Sequence, residues 1–129
     1  MNFNYEVKTN KTFSAAVDDL KKRLSENNFG VLWELNFKEK LEEKGLDFQP
    51  NFKVLEVCNP KQAKEVLELH IEAGYFLPCK LVVYEKENSV FMGMMRPTTM
   101  ISLFGQDELL LSIAQLVETV LKKALDEAI

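Results

Sequence analysis

Two cysteines, Cys58 and Cys79, are the side chains in this sequence best suited to covalent chemistry. Cys58 ends one predicted strand and Cys79 begins the next. Asn59 and Pro60 follow Cys58 and predict the start of a helix, whose dipole lowers the pKa of a nearby thiol. The arrangement suits a redox pair or a reactive thiol. Free cysteines are more often small buried side chains, and we favour that interpretation.

Two topologies place these thiols differently. If the two strands are antiparallel neighbours, both cysteines lie at one end of the sheet, close enough to bridge. If the helix between them makes a parallel crossover, about 20 Å of strand separates them. A predicted hairpin after Cys79 favours the first topology. We therefore predict a rim formed by Cys58, Asn59, Pro78 and Cys79, and a Cys58–Cys79 bridge under mild oxidation.

Arg96 and the backbone amides around Asn59 are candidates for binding a small anion if the fold brings them to the same end of the sheet. The alternative is that Arg96 and Pro97 only end a strand. Four methionines near Arg96 suit either a variable apolar surface or, more commonly, core filling; they are Met92, Met94, Met95 and Met100.

No metal site is expected. The single histidine, His70, lies roughly 16 Å along the predicted helix from Asn59, too far to share a metal ion with Cys58, although the same distance does not exclude Cys79. Glu34, Glu56 and Glu85 fall on predicted strands, where such residues usually face solvent. The sequence has no Ser-His-Asp order, no glycine-rich phosphate loop and no zinc-protease motif, so it predicts no cofactor.

Composition restricts the class of protein. The chain has 129 residues, 47% of them hydrophobic and 28% charged, which fits a single soluble domain over residues 1–129. A net charge of -4 and the lack of a basic stripe argue against nucleic acid as a partner. The sequence shows no signal peptide and no apolar run of about 18 residues, so we expect no membrane partner and a cytoplasmic location.

Hydrophobic periodicity predicts the secondary structure. Gly93, inside the last predicted strand, indicates a bulge or the close approach of another group. The predicted strands are Phe3–Val7, Val31–Leu35, Phe52–Cys58, Cys79–Glu85 and Ser89–Met95. The predicted helices are Thr12–Asn27, Asn36–Gly45, Pro60–Ala73 and Asp107–Ala128, with a loop from Arg96 through Gly105.

The last helix carries more apolar residues than one packed face requires. Its stripe covers about half of the circumference, against the ~100° typical of a surface helix, and Leu111 lies outside it. Deep packing across the sheet with one exposed leucine is one interpretation. The other is that the second flank contacts another subunit, with Leu111 as a dimer contact, or lines a ligand cavity. The stripe consists of Leu109, Ile113, Leu116, Val117, Val120, Leu121, Ala124 and Ala128.

The order of these elements, the runs Cys58-Asn59-Pro60 and Leu77-Pro78-Cys79, and a proline before the long terminal helix resemble the bacterial and archaeal domain-of-unknown-function family 302. The resemblance covers nearly the whole chain. It implies an α+β fold of β-α-β(4)-α layout, a mostly antiparallel sheet covered by helices in a two-layer, TATA-binding-protein-like architecture. It implies no reaction and supplies no catalytic residues.

These observations lead to two functional hypotheses. The first is a non-enzymatic module that binds a small molecule or anion, or serves in assembly, and acts as a homodimer. It depends on the wide apolar stripe of the last helix and on the lack of a catalytic motif. The alternative is a small thiol-dependent redox enzyme that uses Cys58 and Cys79.

Overall fold

The computed structural model describes residues 2–129, within which the chain forms five strands and five α-helices. The strands are β1 (Asn4–Thr9), β2 (Gly30–Asn36), β3 (Phe52–Cys58), β4 (Cys79–Lys86) and β5 (Ser89–Met95). The helices are α1 (Phe13–Glu26), α2 (Phe37–Glu43), α3 (Pro60–Leu69), α4 (Pro97–Ser102) and α5 (Glu108–Glu127), with a 3-10 helix over Ile71–Phe76. The predicted α+β class is confirmed.

The strands form one sheet in the order β1-β5-β4-β3-β2, and every neighbouring pair is antiparallel. β4 and β5 make the predicted hairpin. Its turn residues Glu87 and Asn88 have φ of 52° and 62°, as a two-residue turn that follows the strand twist requires. Val57 pairs with Cys79 across β3 and β4, so the first of the two topologies is confirmed.

The two faces of the sheet have different surroundings because strand side chains alternate between them. One face packs against α1 and α5 and forms the core, which includes Leu20, Leu24, Leu55, Val57, Leu81, Val83, Met92, Leu121 and Leu125. We call the other the open face. In the described part of the chain only α2 reaches it, at the corner where Phe37 contacts Phe52. A sheet with one principal helix layer is the expected two-layer architecture.

Helix starts follow the sequence signals closely. The side chains of Thr12, Asn36, Asn59 and Asp107 each accept a hydrogen bond from a backbone amide of the first helical turn.

None of the helices in residues 2–129 is long and apolar enough to cross a membrane.

Two predicted boundaries were wrong. The helix from Pro60 ends at Leu69 rather than Ala73, because His70 adopts an extended backbone and a 3-10 helix follows. The segment expected to be a loop after Arg96 contains α4, which begins at Pro97. Proline both ends a strand and suits the first position of a helix, and here it does both.

The predicted stripe of α5 was wrong in part. Leu109 and Leu116 are 63% and 54% exposed, whereas Leu110, which was left out of the stripe, is 1% exposed. Three consecutive leucines fit several helical phases, and only the packing of α4 and the 3-10 helix selects one. The residues of α5 that are buried are Leu110, Ala114, Val117, Leu121, Ala124 and Leu125.

Gly93 in β5 is the predicted site of close approach. A Cβ atom built on Gly93 would lie 2.8 Å from the carbonyl oxygen of Tyr5 in the neighbouring strand. No L-residue fits there without moving one of the two backbones, so glycine is what allows β1 to pair closely with β5.

We expect Gly93→Ala to lower the free energy of unfolding by about 1–3 kcal/mol, the usual cost of forced overpacking. Gly30→Ala is the matched control, because nothing lies within 4 Å of a Cβ at Gly30, and we expect a change below about 1 kcal/mol there. Urea denaturation of both variants measures the difference. Equal stability of the two variants would contradict the close approach.

Candidate functional site

The rim predicted from the sequence lies at one end of the sheet. β3 ends there, β4 begins there and β5 ends there, as the pairs Val57–Cys79 and Leu81–Met94 show. The fold therefore brings the five predicted site residues to the same end of the sheet: Cys58, Asn59, Pro78, Cys79 and Arg96.

The two thiols lie on adjacent strands but not on the same face. Val57 is the residue directly opposite Cys79, so Cys58, one residue further along β3, alternates to the open face. Cys79 packs against the main core. Both cysteines are free. The register therefore argues against the bridge expected from the sequence, because the two side chains leave the sheet in opposite directions.

The surroundings of both thiols favour the neutral form. Burial raises the pKa of the Cys79 thiol to about 11, with a smaller contribution from the nearby Cys58. Burial also raises the pKa of the Cys58 thiol. The helix dipole at α3 was expected to lower a thiol pKa, and burial acts in the opposite direction here. At neutral pH both cysteines are protonated and weakly nucleophilic.

The anion site expected from Asn59 and Arg96 is occupied by the protein's own groups. The Asn59 side chain accepts a hydrogen bond of 3.1 Å from the Gln62 amide and so caps α3. Pro78 follows a cis peptide bond. Arg96 donates from Nε and Nη2 to Oε2 of Glu118 on α5, at 3.0 and 2.9 Å. The positive charge of Arg96 is therefore already paired.

Glu118 is an important residue that the sequence analysis missed. Its Oε1 atom accepts hydrogen bonds from the backbone amide of Thr98 at 3.0 Å and from the Thr98 hydroxyl at 2.6 Å. Arg96, at the N-cap position of α4, makes no side-chain cap bond, so a carboxylate from α5 satisfies that helix terminus instead. A glutamate in the middle of a helix gives no sequence signal for this role.

The electrostatics of Glu118 follow from these contacts. Burial of the carboxyl works to raise its pKa, but the hydrogen bonds from Thr98 and Arg96 outweigh burial and hold the pKa below its ordinary value. Only 15% of the Glu118 side chain is exposed. The carboxylate is largely shielded from solvent, whereas the Arg96 side chain is 31% exposed, and the pair joins the end of β5, α4 and α5.

His70 also pairs with a carboxylate. Its Nε2 atom lies 2.6 Å from Oδ2 of Asp107, so the end of α3 is tied to the start of α5. Hydrogen bonds from the Leu110 amide and from His70 lower the pKa of Asp107. Within residues 2–129, His, Cys, Asp and Glu side chains form no group of three arranged to hold a metal ion.

The open face carries a row of stacked rings that the sequence analysis did not anticipate. Phe52, Tyr84 and Phe91 are direct cross-strand partners, with ring centroids 5.8 and 5.5 Å apart and interplanar angles of 21° and 24°. The Tyr84 hydroxyl donates to Glu6. Burial and that bond raise the pKa of Tyr84 to about 12, so it stays neutral. Beside the rings, Val54 is only 4% exposed.

A depression interrupts this face where Gly93 has no side chain. Its volume is about 170 Å³ and its walls include Phe3, Glu6, Lys80, Val82 and Met95. Two large apolar side chains beside it remain exposed, Phe3 at 53% and Met95 at 44%. Trp33, on β2 at the opposite edge of the same face, is 51% exposed. Leu111, the predicted dimer contact, lies elsewhere, on α5 beside a surface depression with Ile101 and Ser102, and is 38% exposed.

Fold and site together define a two-layer α+β domain with one helix-covered and one open sheet face. A family model described as "Domain of unknown function DUF302" matches residues 5–128, and the chain belongs to that family. It is similar to the crystal structure of an uncharacterized conserved protein DUF302 from Bacillus stearothermophilus, with 40% identity over 100% of both chains and a TM-score of 0.95. No curated protein matches the chain. The resemblance inferred from the sequence is confirmed.

We expect Glu118→Gln to lower the free energy of unfolding at pH 7 by about 1.5–3 kcal/mol, the range for hydrogen bonds to a charged group. The folded-state pKa lies below the unfolded one, so ionised Glu118 stabilises the fold above about pH 4.3. That contribution is lost as the pH falls through the folded-state pKa. The free energies of unfolding of the variant and the wild type should then become equal.

Urea denaturation at a series of pH values measures this effect. Glu65→Gln, at an exposed position of α3, is the control and should follow the wild type at every pH. A difference between Glu118→Gln and the wild type that stays constant into the acid range would contradict the role given to the ion pair.

Proposed function

We propose that this chain is a non-enzymatic binding module that forms a homodimer by pairing the open sheet faces of two copies. The observation that carries the proposal is the stacked row of partly exposed Phe52, Tyr84 and Phe91, on a sheet face that α2 covers only at one corner. On the same face Trp33 and Met95 are 51% and 44% exposed. Monomeric proteins rarely expose a contiguous apolar surface of this kind, and such surfaces usually mark interaction sites.

The charges of the open face suit a second copy of the same chain. The residues directed to this face by strand alternation include two acidic ones, Glu6 and Glu56, and three basic ones, which are Lys8, Lys80 and Lys86. A symmetric interface places the same patch on both partners, so a surface of mixed sign can pair with itself, whereas a surface of one sign cannot. The mixed charges therefore favour a second copy over a nucleic acid or an anionic surface.

The dimensions also suit a dimer. Five strands spaced about 4.8 Å apart and about six residues long give a face of about 24 by 20 Å. Its projected area is about 500 Å² per copy, so two copies bury about 1,000 Å² if each face is treated as flat. That area is close to the ~1,000 Å² that a biological interface should exceed.

The test is the mass of the protein in solution. Light scattering at micromolar concentration should give twice the 14.9 kDa of the chain. Met95→Glu places a charge on the open face at a side chain that is already 44% exposed, and we expect it to weaken dimerisation at least tenfold. Leu116→Glu on α5 is the matched control, and we expect it to remain dimeric.

Two outcomes contradict the proposal. One is a monomer at all concentrations for the wild type. The other is a dimer that Leu116→Glu dissociates and Met95→Glu does not, since the interface would then be the exposed flank of α5 that the sequence first suggested. Far-ultraviolet circular dichroism of both variants shows whether each variant is still folded, so that a lower mass reports loss of the dimer rather than unfolding.

The rival hypothesis is a thiol-dependent enzyme that uses Cys58 and Cys79. Such chemistry requires a thiolate near neutral pH, and a redox pair requires two sulfurs that can meet. Burial raises the pKa of both thiols, and the register directs them to opposite faces. These observations support the binding module over the enzyme.

We expect both cysteines to react with a disulfide reagent at pH 7 more slowly than free cysteine does, and Cys79 more slowly than Cys58. Cys58→Ser and Cys79→Ser variants assign the two rates. Mild oxidation followed by non-reducing peptide mapping should leave the native monomeric unit without an internal bridge. A thiol that reacts faster than free cysteine, or a bridge that forms readily, would favour the enzyme.

A further inference from the structure

The methionines of β5 differ in exposure because strand alternation divides them between the two faces of the sheet. Met92 and Met94 pack into the main core and are 0% and 2% exposed, whereas Met95 points to the open face and is 44% exposed. Met100 on α4 is half-buried. Met95 is therefore the most exposed methionine in residues 2–129.

Met95 lines the depression at Gly93, and two polar residues, Asn4 and Lys80, line it as well. Asn4 lies directly opposite Met95 in the pairing of β1 with β5. The Asn4 amide and the Lys80 ammonium both carry hydrogen-bond donors. In the single chain, an oxygen atom added to the Met95 sulfur would therefore have water and donors around it.

The chemistry that adds such an oxygen is the oxidation of a thioether by a hydroperoxide. The methionine sulfur attacks one oxygen of hydrogen peroxide, the O–O bond breaks, and the other oxygen leaves as water with both protons. The sulfur loses two electrons and the peroxide gains them. The product, methionine sulfoxide, replaces a flexible apolar side chain by a polar one, and sulfoxide reductases reverse the change.

We infer that Met95 is an oxidation site through which hydroperoxides control the pairing of the open faces, an inference that rests on the dimer proposed above. A sulfoxide oxygen inside a paired apolar face loses its water, whereas in the single chain it stays hydrated. Oxidation therefore weakens the dimer by about tenfold. Because the two equilibria are linked, pairing in turn shields the sulfur and slows its oxidation.

Cys58 is another oxidisable side chain directed to the open face. Oxidants attack the thiolate rather than the thiol, and burial raises the pKa of Cys58, so little thiolate is present at neutral pH. A thioether has no proton to lose, so its reaction does not depend on such an ionisation. We therefore assign the peroxide response to Met95 rather than to Cys58.

Hydrogen peroxide treatment of the full chain at pH 7, followed by peptide mapping, tests the site. Met95 should gain one oxygen before Met92, Met94 and Met100. Its oxidation should be slower at protein concentrations where light scattering gives twice the chain mass than at those where it gives one. The oxidised chain should require about tenfold more protein to reach the doubled mass, and sulfoxide reductases should restore the original value.

Two variants separate Met95 from the other oxidisable groups. Met95→Leu removes the sulfur, so peroxide should leave the dissociation constant of this variant, whatever its value, unchanged. Met100→Leu, on α4, is the matched control and should keep the wild-type response to peroxide. A Met95→Leu dimer that peroxide still weakens would contradict the inference and point to Cys58.

The outcomes also distinguish this inference from the dimer on which it rests. A wild-type chain that is monomeric at all concentrations overturns both. A wild-type dimer whose dissociation constant does not change when Met95 is oxidised overturns the oxidation site alone.

Discussion

The register of β3, β4 and β5 is the constraint on which the rest of the structure depends. It directs Leu55, Leu81 and Met94 toward the helices and Val54, Val82 and Gly93 toward the open face. A slip of one residue would exchange the two sets. The same register directs the two thiols to opposite faces and aligns the stacked rings of the open face.

Glu118 links that sheet to the helix layer. Its carboxylate holds Arg96 at the end of β5 and caps α4 through Thr98, so one side chain on α5 fixes three elements. The charge of Arg96, which the sequence offered to an outside anion, is thus paired within the fold.

The sequence predicts the elements better than the surfaces they form. Cap residues such as Thr12 and Asp107 mark helix starts because the capping bond is local, and Gly93 reveals its close contact because only glycine fits there. Sequence spacing does not predict which of Leu109–Leu111 faces the core, because the packing of neighbouring elements sets the rotation of α5. It does not predict the pairing of Arg96 with Glu118 either, because the two residues meet only in the folded chain. The open face was missed for the same reason, since its rings become neighbours only after the strands pair.

Pairing of the open faces is the central claim, and contacts between copies test it most directly. In a sample of mixed labelled and unlabelled chains, isotope-filtered NOE spectra report only methyl groups that touch another copy. We predict intermolecular cross-peaks to the methyl groups of Val82 and Met95, which lie on the open face and are accessible in the single chain. Cross-peaks to Leu109 and Leu116 instead, or none at concentrations where the mass is twice that of the chain, would contradict the account.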